Sequence, residues 1–350
     1  MNARNVNASN DGPSVTMAHG GGGRAMRGLI ESIFLPAFNN PLLATLEDQA
    51  RIAISELSML GDRLAFTTDT YVVTPLEFPG GDIGQLAVYG TVNDLAVSGA
   101  RPLFLSCGMV LEEGLSIATL TKFANSMGRA ARKAGVSIVT GDTKVVEHGA
   151  ADGVFINTAG IGVVPAGVNI AANRARPGDA VIVNGPLGDH GVAILLARNE
   201  LALAAPVISD CQPLYELITA MRHACPDIHC LRDATRGGIA TVLNEFAASS
   251  NVGIRLREAA LPLNETVRGA CELLGLDPLH LANEGKIVAV VPAPDADAVV
   301  AAMRRHPAGR DAAVIGEVCA RPAGNVILCT AIGGDRVVDM LVGEQLPRIC

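Results

Sequence analysis

RLAFTTDTYVVTPLEF (residues 63–78), IGQLAVYGTVNDLAVSGA (83–100) and PLFLSCGMVLE (102–112) follow one another along the chain and decide the fold class. The first and third segments are rich in Thr, Val, Leu and aromatic residues, which is typical of β-strands. The second segment reads as a helix whose small residues permit close packing. SIATLTKFANSMGRAARKAG (116–135) then predicts a helix that opens at a Ser cap and ends at Gly135. This alternation predicts an α/β or α+β protein.

The length of 350 residues suggests two domains of ordinary size. A new unit starts after a Pro177–Gly178 turn, where DAVIVN reads as a buried strand. We therefore place an N-terminal domain at residues 17–167 and a C-terminal domain at 168–342. The polar residues 1–16 are predicted to be disordered, and residues 343–350 are predicted to form a mobile tail.

The composition excludes several classes of protein. Hydrophobic residues make up 49% and charged residues 18%, and the net charge is −8, so the sequence predicts a sizeable core and no nucleic-acid binding. Eight cysteines are too few for a disulfide framework, and RHACPDIHC (222–230) lacks the spacing of a zinc site. Reduced thiols fit a cytoplasmic protein. The longest uncharged run, residues 153–173, contains Gly, Pro and Asn, so no membrane segment is predicted.

The chain ends in GEQLPRIC, with Cys350 as its last residue. A prenyl acceptor Cys would stand four places from the end, where this chain has Pro347. Two interpretations remain: an inert, frayed end, or a nucleophile on a flexible arm that visits more than one site.

Glycine-rich and acidic loops carry the other chemical signals. HGGGG (19–23) precedes a helix and is typical equally of an anion-binding loop and of a flexible linker. His19 and His190 are each open to a ligand contact or a plain loop hydrogen bond. Lys144 follows a Gly-Asp-Thr turn and faces either a phosphate or solvent. Several Asp residues stand among Gly or Thr, where hard cations such as Mg²⁺ find oxygen ligands: Asp69, Asp82, Asp94, Asp142, Asp189 and Asp233.

Longer motifs carry a resemblance to a known family. They are residues 66–102, GDTKVVEHGAADGVFINTAGIG (141–162), RDATRGGIATVLNE (232–245), ELLGLDPLHLANEGK (272–286) and the terminal PRIC. From about residue 17 to residue 350 the chain resembles the HypE family of hydrogenase maturation proteins. That family is similar in turn to ATP-using enzymes related to aminoimidazole ribonucleotide synthetase, selenophosphate synthetase and thiamine-phosphate kinase.

The resemblance implies a reaction and its partners. The terminal Cys receives a carbamoyl group from the carbamoyltransferase HypF, and ATP with Mg²⁺ drives its dehydration to an S-cyanate. The cyano group then passes to iron on the HypC–HypD complex and becomes a cyanide ligand of [NiFe]-hydrogenase. The family also implies a homodimer in which N-terminal strands of both subunits pair. A thiol at the chain terminus can reach the carbamoyltransferase, the nucleotide site and the HypC–HypD complex in turn, which a buried Cys could not do.

The resemblance also implies roles for particular residues. Cys350, Glu284 and Lys144 are the catalytic candidates, with Glu284 either positioning the tail or taking a proton, or else acting as a plain turn cap. The magnesium candidates are Asp69, Asp94 and Asp233. The nucleotide candidates are Gly20, Gly21, Gly22, Asp69, Asp82, Asn93, Asp94, Asp142 and Thr143. The loop HGGGG departs from the family pattern, where a Ser or Ala stands among the glycines.

Other functions are weighed against this one. A selenophosphate synthetase needs a Cys near the glycine loop, which this chain lacks, and a small-molecule kinase has no use for a terminal PRIC. A silent carrier that only presents Cys350 would need no Asp–Gly loops and no Lys144. Turnover of ATP would separate an enzyme from such a carrier.

Overall fold

The computed structural model describes residues 12–201, 206–343 and 346–350. The strands are β1 Arg63–Tyr71, β2 Glu77–Phe78, β3 Gly81–Asp82, β4 Arg101–Glu112, β5 Ser137–Val146, β6 Val154–Val164, β7 Ala180–Val183, β8 Cys230–Asp233, β9 Gly253–Arg257, β10 Ile287–Val291, β11 Ala313–Cys319, β12 Val326–Cys329 and β13 Asp335–Val338. The α-helices are α1 Arg24–Leu29, α2 Leu35–Phe38, α3 Ile54–Ser58, α4 Ile83–Val97, α5 Ile117–Ala134, α6 Asp189–Ala197, α7 Tyr215–Ala224, α8 Gly238–Ser250, α9 Glu265–Leu274 and α10 Ala296–Arg304.

The first domain is built on a four-stranded sheet in the order β1-β6-β4-β5. All neighbouring strands are antiparallel except β4 and β5, which are parallel. Alternate residues of β4, from Leu105 to Leu111, are buried, since successive side chains of a strand point to opposite faces. Helix α4 packs on this sheet, and α5 packs on α4.

Small residues allow α4 to approach the sheet closely, as its sequence predicts. A Cβ added to Gly90 would lie 2.2 Å from the phenol oxygen of Tyr71, so a larger residue would displace the helix from β1. The helix begins at Asp82, whose Oδ1 accepts the Gln85 N–H at 2.9 Å. Helix α5 ends at Gly135, which has a φ of 70°, as predicted.

The second domain is built on a seven-stranded sheet in the order β13-β12-β9-β11-β7-β10-β8. Strands β7 and β10 lie in the interior of this sheet and are buried along their whole length. Helix α8 covers one face with the core that includes Val183 and Val288. Helices α7 and α10 cover the other face with the core that includes Ile182 and Ala289. The predicted α/β (α+β) fold class is confirmed.

The predicted domain boundary falls between the two sheets. Strand β6 ends at Val164 and β7 begins at Ala180, and residue 167 lies in that connection. The amide of Asn93 on α4 crosses between the domains, since its Nδ2 donates to the Gln212 carbonyl at 3.0 Å and its Oδ1 accepts the Leu214 N–H at 2.9 Å.

The N-terminal segment differs in part from the prediction of disorder. Residues 1–11 lie outside the described residues, so that part stays a prediction. Residues 12–16 pack on the first domain: Val15 is buried, and its N–H donates to the Leu115 carbonyl at 2.7 Å. The apolar side chain of Val15 finds a place in the core, which the polar composition of the segment concealed.

None of the helices in the described ranges is long and apolar enough to cross a membrane.

Candidate functional site

The end of the chain docks between the two domains like an added strand. The N–H of Val72 donates to the backbone oxygen of Cys350 at 3.0 Å, and the N–H of Thr74 donates to the Arg348 carbonyl at 3.2 Å. This spacing is that of an antiparallel pair. Ile349 between them is only 3% exposed and belongs to the core of the first domain. The tail predicted as mobile is therefore seen here in an inward, docked position, and its mobility stays a prediction.

Arg198, at the end of α6, holds the docked tail through its guanidinium. Its Nη2 donates to the carbonyls of Pro347 at 2.8 Å and Arg348 at 2.7 Å, and its Nε donates to the Thr74 carbonyl at 2.7 Å. The Arg198 guanidinium thus links the tail to Thr74, in the segment beside which the tail lies. The sequence gives no signal for this role, because ARNE at a helix end reads as a solvated surface.

His190 is the second anchor of the tail. Its Nε2 lies 2.8 Å from the Ile349 carbonyl, and its Nδ1 lies 2.8 Å from the Ser209 hydroxyl. A carbonyl only accepts, so Nε2 carries the proton and Nδ1 accepts from Ser209. Burial lowers the pKa of His190, which favours this neutral form. Of the two interpretations left open for His190, the structure shows a protein contact, and that contact is with the tail.

Four carboxylates, which we call the acidic cluster, meet where the domains join: Asp69, Asp94, Asp233 and Glu284. Asp94 on α4 accepts a hydrogen bond from the Thr67 hydroxyl of β1 at 2.9 Å. The pKa of Asp94 is raised, mainly by burial. The Thr67 hydrogen bond lowers this pKa, and the negative charge of Asp69 raises it. Burial and the charge of Asp94 raise the pKa of Asp233 at the end of β8. Asp69, Asp94 and Asp233 are therefore near enough to interact through their charges, and their role as magnesium ligands stays a prediction.

Glu284 is the most buried member of the acidic cluster. Its side chain is 4% exposed, and its Oε1 is enclosed without a hydrogen-bond partner among the described residues. Burial first, then the charges of Asp210 and Asp233, raise the pKa of Glu284 well above its ordinary value. Oε1 of Glu284 therefore caps no helix or turn in the described part of the chain, and the role of this residue stays a prediction. A carboxyl with a raised pKa is suited to proton transfer near neutral pH.

The acidic cluster fits a hard cation by its chemistry. Its donors are carboxylates with a Thr hydroxyl beside them, which are the oxygen ligands that Mg²⁺ prefers. Burial first, and then the charge of a neighbouring carboxylate, raises the pKa values of Asp94 and Asp233, and a cation would relieve the repulsion between these charges. No three or more His, Cys, Asp or Glu side chains within the described ranges are arranged so that they could hold a metal ion by themselves. Mg²⁺ commonly takes one or two carboxylates and completes its shell with phosphate oxygens and water.

A groove of about 510 Å³ lies between the N-terminal helices, residues 43–48 and the β4–β5 edge of the first sheet. Apolar side chains such as Phe34, Phe38 and Leu43 line one side, and Asp142 and Thr143 line the other. We call it the helix–sheet groove. Its volume lies in the range of small-molecule sites, and its mixed lining suits a molecule with an apolar ring and a polar end.

The glycine loop packs beside the helix–sheet groove. A Cβ added to Gly20 would lie 2.8 Å from the Val145 nitrogen, so this close approach to β5 requires glycine. Gly21 and Gly22 follow directly on the surface. His19 points back, and its Nδ1 accepts the Thr16 N–H at 2.9 Å, which is a plain loop hydrogen bond. Lys144 pairs with Asp142 at 2.9 Å, and its hydrogen bond lowers the pKa of that carboxyl.

The groove and the acidic cluster are separate within one chain. Asp69, Thr158, Cys107 and Gly141 stand side by side across β1, β6, β4 and β5. Two strand spacings separate Asp69 from Cys107, which lines the groove, and three separate it from Gly141, or about 10 and about 14 Å. The predicted site residues thus form two groups rather than one.

Two nucleotide candidates have structural contacts instead. Asp82 caps α4, as described above, and Asn93 spends its side-chain amide on bonds between the domains. Asn93 is 1% exposed. Both residues position α4, and through it Asp94, and their contacts with a nucleotide stay a prediction.

The sequence reasoning missed Asp210. Its carboxylate is 4% exposed and receives the N–H groups of Glu284 at 3.0 Å and Gly285 at 3.1 Å, together with the ammonium of Lys286 at 2.9 Å. SDCQP has no motif that announces such a residue. The one signal in the sequence is Lys286, which is one of only four lysines in the chain.

Comparison with known proteins gives matches along nearly the whole chain. Residues 47–164 match the family described as AIR synthase related protein, N-terminal domain, and residues 176–329 match its C-terminal domain. The chain is 57% identical over 336 residues to the carbamoyl dehydratase HypE of Rhodobacter capsulatus, a match that covers 96% of this chain and 98% of that protein.

Two solved structures are informative as well. A structure of the hydrogenase maturation protein HypE in complex with ATP is 50% identical, covers 95% of this chain and 99% of its own, and has a TM-score of 0.90. A structure of a HypE–HypF complex is 47% identical, covers 89% of this chain and 99% of its own, and has a TM-score of 0.78.

Proposed function

This chain belongs to the HypE family of carbamoyl dehydratases, and we propose on that basis that it uses ATP to dehydrate an S-carbamoyl group on Cys350 to an S-cyanate. The product would supply the cyanide ligands of the [NiFe]-hydrogenase iron. The observation that carries the proposal is the docked tail. Cys350 ends beside Val72, directly after Tyr71, whose phenol feels the charges of Asp69, Glu284 and Asp94. The substrate group and the acidic cluster therefore lie at the same end of β1.

The reaction balances with ATP as the acceptor of the oxygen atom. The carboxamide oxygen attacks the γ-phosphorus, the bond from that phosphorus to the β-phosphate oxygen breaks, and ADP leaves. The oxygen on carbon is then part of a phosphate leaving group. Loss of one N–H proton to a base and departure of phosphate together with the second proton, as hydrogen phosphate, leave a carbon–nitrogen triple bond on the sulfur. The products are the S-cyanate, ADP and phosphate.

Glu284 is the residue we assign to proton removal. Its buried, unpartnered Oε1 and its raised pKa suit a base that acts once and then returns its proton. Its burial also excludes water, which would otherwise hydrolyse the phosphorylated carboxamide.

The helix–sheet groove is our proposed place for the nucleotide. The related HypE structure holds ATP, and here the groove offers apolar side chains to a base ring. Asp142 and Thr143 line it, Gly20 packs against Val145 of the same strand, and Lys144 follows Thr143 on β5, where it would offset phosphate charge. The distance of about 10–14 Å from the groove to Asp69 is comparable with the length of an extended triphosphate nucleotide. ATP would thus connect the two groups of residues.

Mg²⁺ would be held by Asp69, Asp94 and Asp233 and would supply neutralisation of phosphate charge. Thr67 and the N-terminal cap at Asp82 would position the ion indirectly, because they orient α4 and Asp94.

The partners follow from the travel of the tail. A carbamoyltransferase of the HypF class would load Cys350, as a related HypE forms a complex with HypF. A HypC–HypD complex would receive the cyano group. Both steps require the tail to leave the docked position, in which Ile349 is buried and Arg198, His190 and Arg348 form hydrogen bonds. All of these steps are proposed for the cytoplasm.

We also propose a homodimer that uses the first sheet. Strand β1 is an edge strand of that sheet, and it exposes Leu64 (63%) and Phe66 (72%). Edge strands with large exposed apolar residues are suited to pairing with another chain. Light scattering should give the mass of a dimer, and Phe66→Asp should give a monomer with unchanged circular dichroism. A monomeric wild-type protein at micromolar concentration would contradict the proposal.

The proposed reaction is tested by following the C-terminal peptide. The full-length protein is incubated with a HypF-class carbamoyltransferase and its carbamoyl donor, and then with ATP and Mg²⁺. Mass spectrometry should show the peptide gain one carbamoyl group and then lose one water, while Cys350→Ala shows neither change. A carbamoylated peptide that persists while ATP is present would refute the dehydratase and favour a silent carrier.

A further inference from the structure

Asp210 holds the turn that carries Glu284. Its Oδ1 accepts the Glu284 N–H, and its Oδ2 accepts the Gly285 N–H and a proton of Lys286. All three donors are consecutive residues just before β10, so one carboxylate fixes the backbone on both sides of the Glu284 side chain. Asp210 and Lys286 are both nearly enclosed, at 4% and 6% side-chain exposure.

The turn also packs directly on the backbone of the segment that contains Asp210. A Cβ added to Gly285 would lie 1.9 Å from the Asp210 carbonyl oxygen and 2.8 Å from Cγ of Gln212. Gln212 in turn donates from Nε2 to the Gly285 carbonyl at 3.4 Å. The turn therefore has no room to shift toward this segment, and its position is set by the segment.

The residue before Asp210 takes part in holding the tail. The hydroxyl of Ser209 bonds His190, and His190 bonds the Ile349 carbonyl. The N–H of Ser209 donates to the Pro79 carbonyl at 2.8 Å, which anchors the segment to the first domain. Ser209 thus contacts His190, which holds the tail, and the adjacent Asp210 holds Glu284. The proposed reaction requires the tail and Glu284 to lie close together.

We propose that Asp210 is a positioning residue for Glu284, and that the Ser209–Asp210 pair sets Glu284 and the docked tail in register for the reaction. The inference rests on the proposed function, in which Glu284 accepts the proton. In this proposal Asp210 does not contact the substrate. It acts by holding the backbone of Glu284 and the ammonium of Lys286.

The charge of Asp210 has a second effect on Glu284. Burial opposes the ionisation of Asp210, but Lys286, His190 and the Glu284 N–H outweigh it, and the pKa of Asp210 is lowered. The resulting anion is, after burial, the foremost cause of the raised pKa of Glu284, ahead of Asp233, Asp69 and Asp94. Neutralising Asp210 should therefore lower the pKa of Glu284.

The test is the variant Asp210→Asn in the full-length, carbamoylated protein. Conversion of the C-terminal peptide is followed by mass spectrometry in a single turnover with ATP and Mg²⁺, across a range of pH. We expect the plateau rate to fall about ten- to a hundredfold, since small displacements of a catalytic group cost about this much. We also expect the rising limb of the pH profile to move to lower pH, with the KM for ATP unchanged. A lost core contact alone would slow the reaction without moving that limb.

The matched control is Asp179→Asn. Asp179 is also an enclosed carboxylate, at 7% side-chain exposure, and it accepts from His229 and the Arg176 N–H at 2.7 Å each. This variant should keep the wild-type rate and pH profile.

A second variant covers the case in which Asp210→Asn leaves Lys286 buried without a partner and fails to fold. Asp210→Asn combined with Lys286→Met removes both charges, and we expect it to show the same lowered limb.

Three results would overturn the inference: a wild-type rate, an unmoved limb in the folded variants, or an equal effect of Asp179→Asn. Glu284→Gln separates the two levels. If it leaves conversion intact, the proposed function fails; if it abolishes conversion while Asp210→Asn behaves as wild type, this inference alone fails.

Discussion

Removal of the Arg198 side chain should loosen the tail without unfolding the protein. In Arg198→Ala the carbonyls of Pro347 and Arg348 lose their two hydrogen bonds to a cation, and the Thr74 carbonyl loses a third. Arg198 is half-buried, so water can reach part of the vacated space. Each bond to the tail is then worth about 1 kcal/mol, the typical net value of a protein hydrogen bond, or about 2 kcal/mol together.

A loss of about 2 kcal/mol shifts the equilibrium between docked and released tail about thirtyfold toward release. Docking persists in the variant, because Ile349 remains buried and His190 and the N–H groups of Val72 and Thr74 still bind the tail. Burial of one Ile side chain contributes about 1.5–3 kcal/mol by itself. As long as the docked form dominates, the rate of any reaction that needs a released tail rises by the same factor.

Alkylation of Cys350 by iodoacetamide measures the released tail. Samples are quenched over time and the C-terminal peptide is quantified by mass spectrometry, which separates Cys350 from the other cysteines. We expect Arg198→Ala to react up to about thirtyfold faster than wild type. Arg222→Ala is the control, because Arg222 is also half-buried and donates a single bond to the Gly99 carbonyl at 3.2 Å. Equal alkylation rates for all three proteins, with unchanged circular dichroism, would refute the docking account.

Further outcomes are expected elsewhere in the molecule. Gly285→Ala should cost about 1–3 kcal/mol in urea unfolding and slow conversion of the tail, because its Cβ has no room, whereas Gly269→Ala, with nothing within 4 Å, should be neutral or slightly stabilising. Asp94→Asn and Asp233→Asn should each abolish ATP turnover yet leave the melting temperature unchanged or higher, since each removes a charge that repels its neighbours; turnover at the wild-type rate would show that the magnesium assignment is wrong. Lowering the pH through about 6.5 should reduce the free energy of unfolding, because burial lowers the pKa of His190 and only the unfolded chain takes up that proton; the His190 contribution is complete above that pH, and a His190→Gln variant should show a shallower loss in acid.

Regular elements and their order were readable from the sequence, since they depend on local pattern. Small residues in α4 predicted close packing, and Gly90 against Tyr71 shows it. The end of α5 at Gly135 was predicted because a left-handed residue at that position is a local requirement. The burial of Val15 was not readable, because a single apolar side chain among polar neighbours finds its place only through the tertiary fold.

The candidate site was predictable where chemistry alone identifies a residue. Asp69, Asp94, Asp233 and Glu284 are acidic residues to which the resemblance assigned roles, although Asp69 lies within β1 and Asp94 within α4 rather than in the loops that the sequence suggests. Their meeting point depends on how two domains pack, which no local pattern encodes.

The supporting residues were beyond reach for the same reason. Asp210, Arg198 and His190 act through contacts with residues far away in sequence. Asp210 and Glu284 are 74 positions apart, and His190 and Ile349 are 159 positions apart. Asp82 and Asn93 showed the converse: a loop Asp and a helical Asn that matched a ligand pattern are used by the protein itself.

The central claim is that the docked tail and Glu284 together convert a carbamoylated Cys350 to its S-cyanate, and a single-turnover measurement on Glu284→Gln tests it most directly. Wild type and variant are first carbamoylated to the same extent and then mixed with ATP and Mg²⁺, and the mass of the C-terminal peptide is followed over time. The wild-type peptide should lose one water, while the variant should bind ATP with unchanged affinity and retain its carbamoyl group. Loss of water from the variant at the wild-type rate would contradict the account.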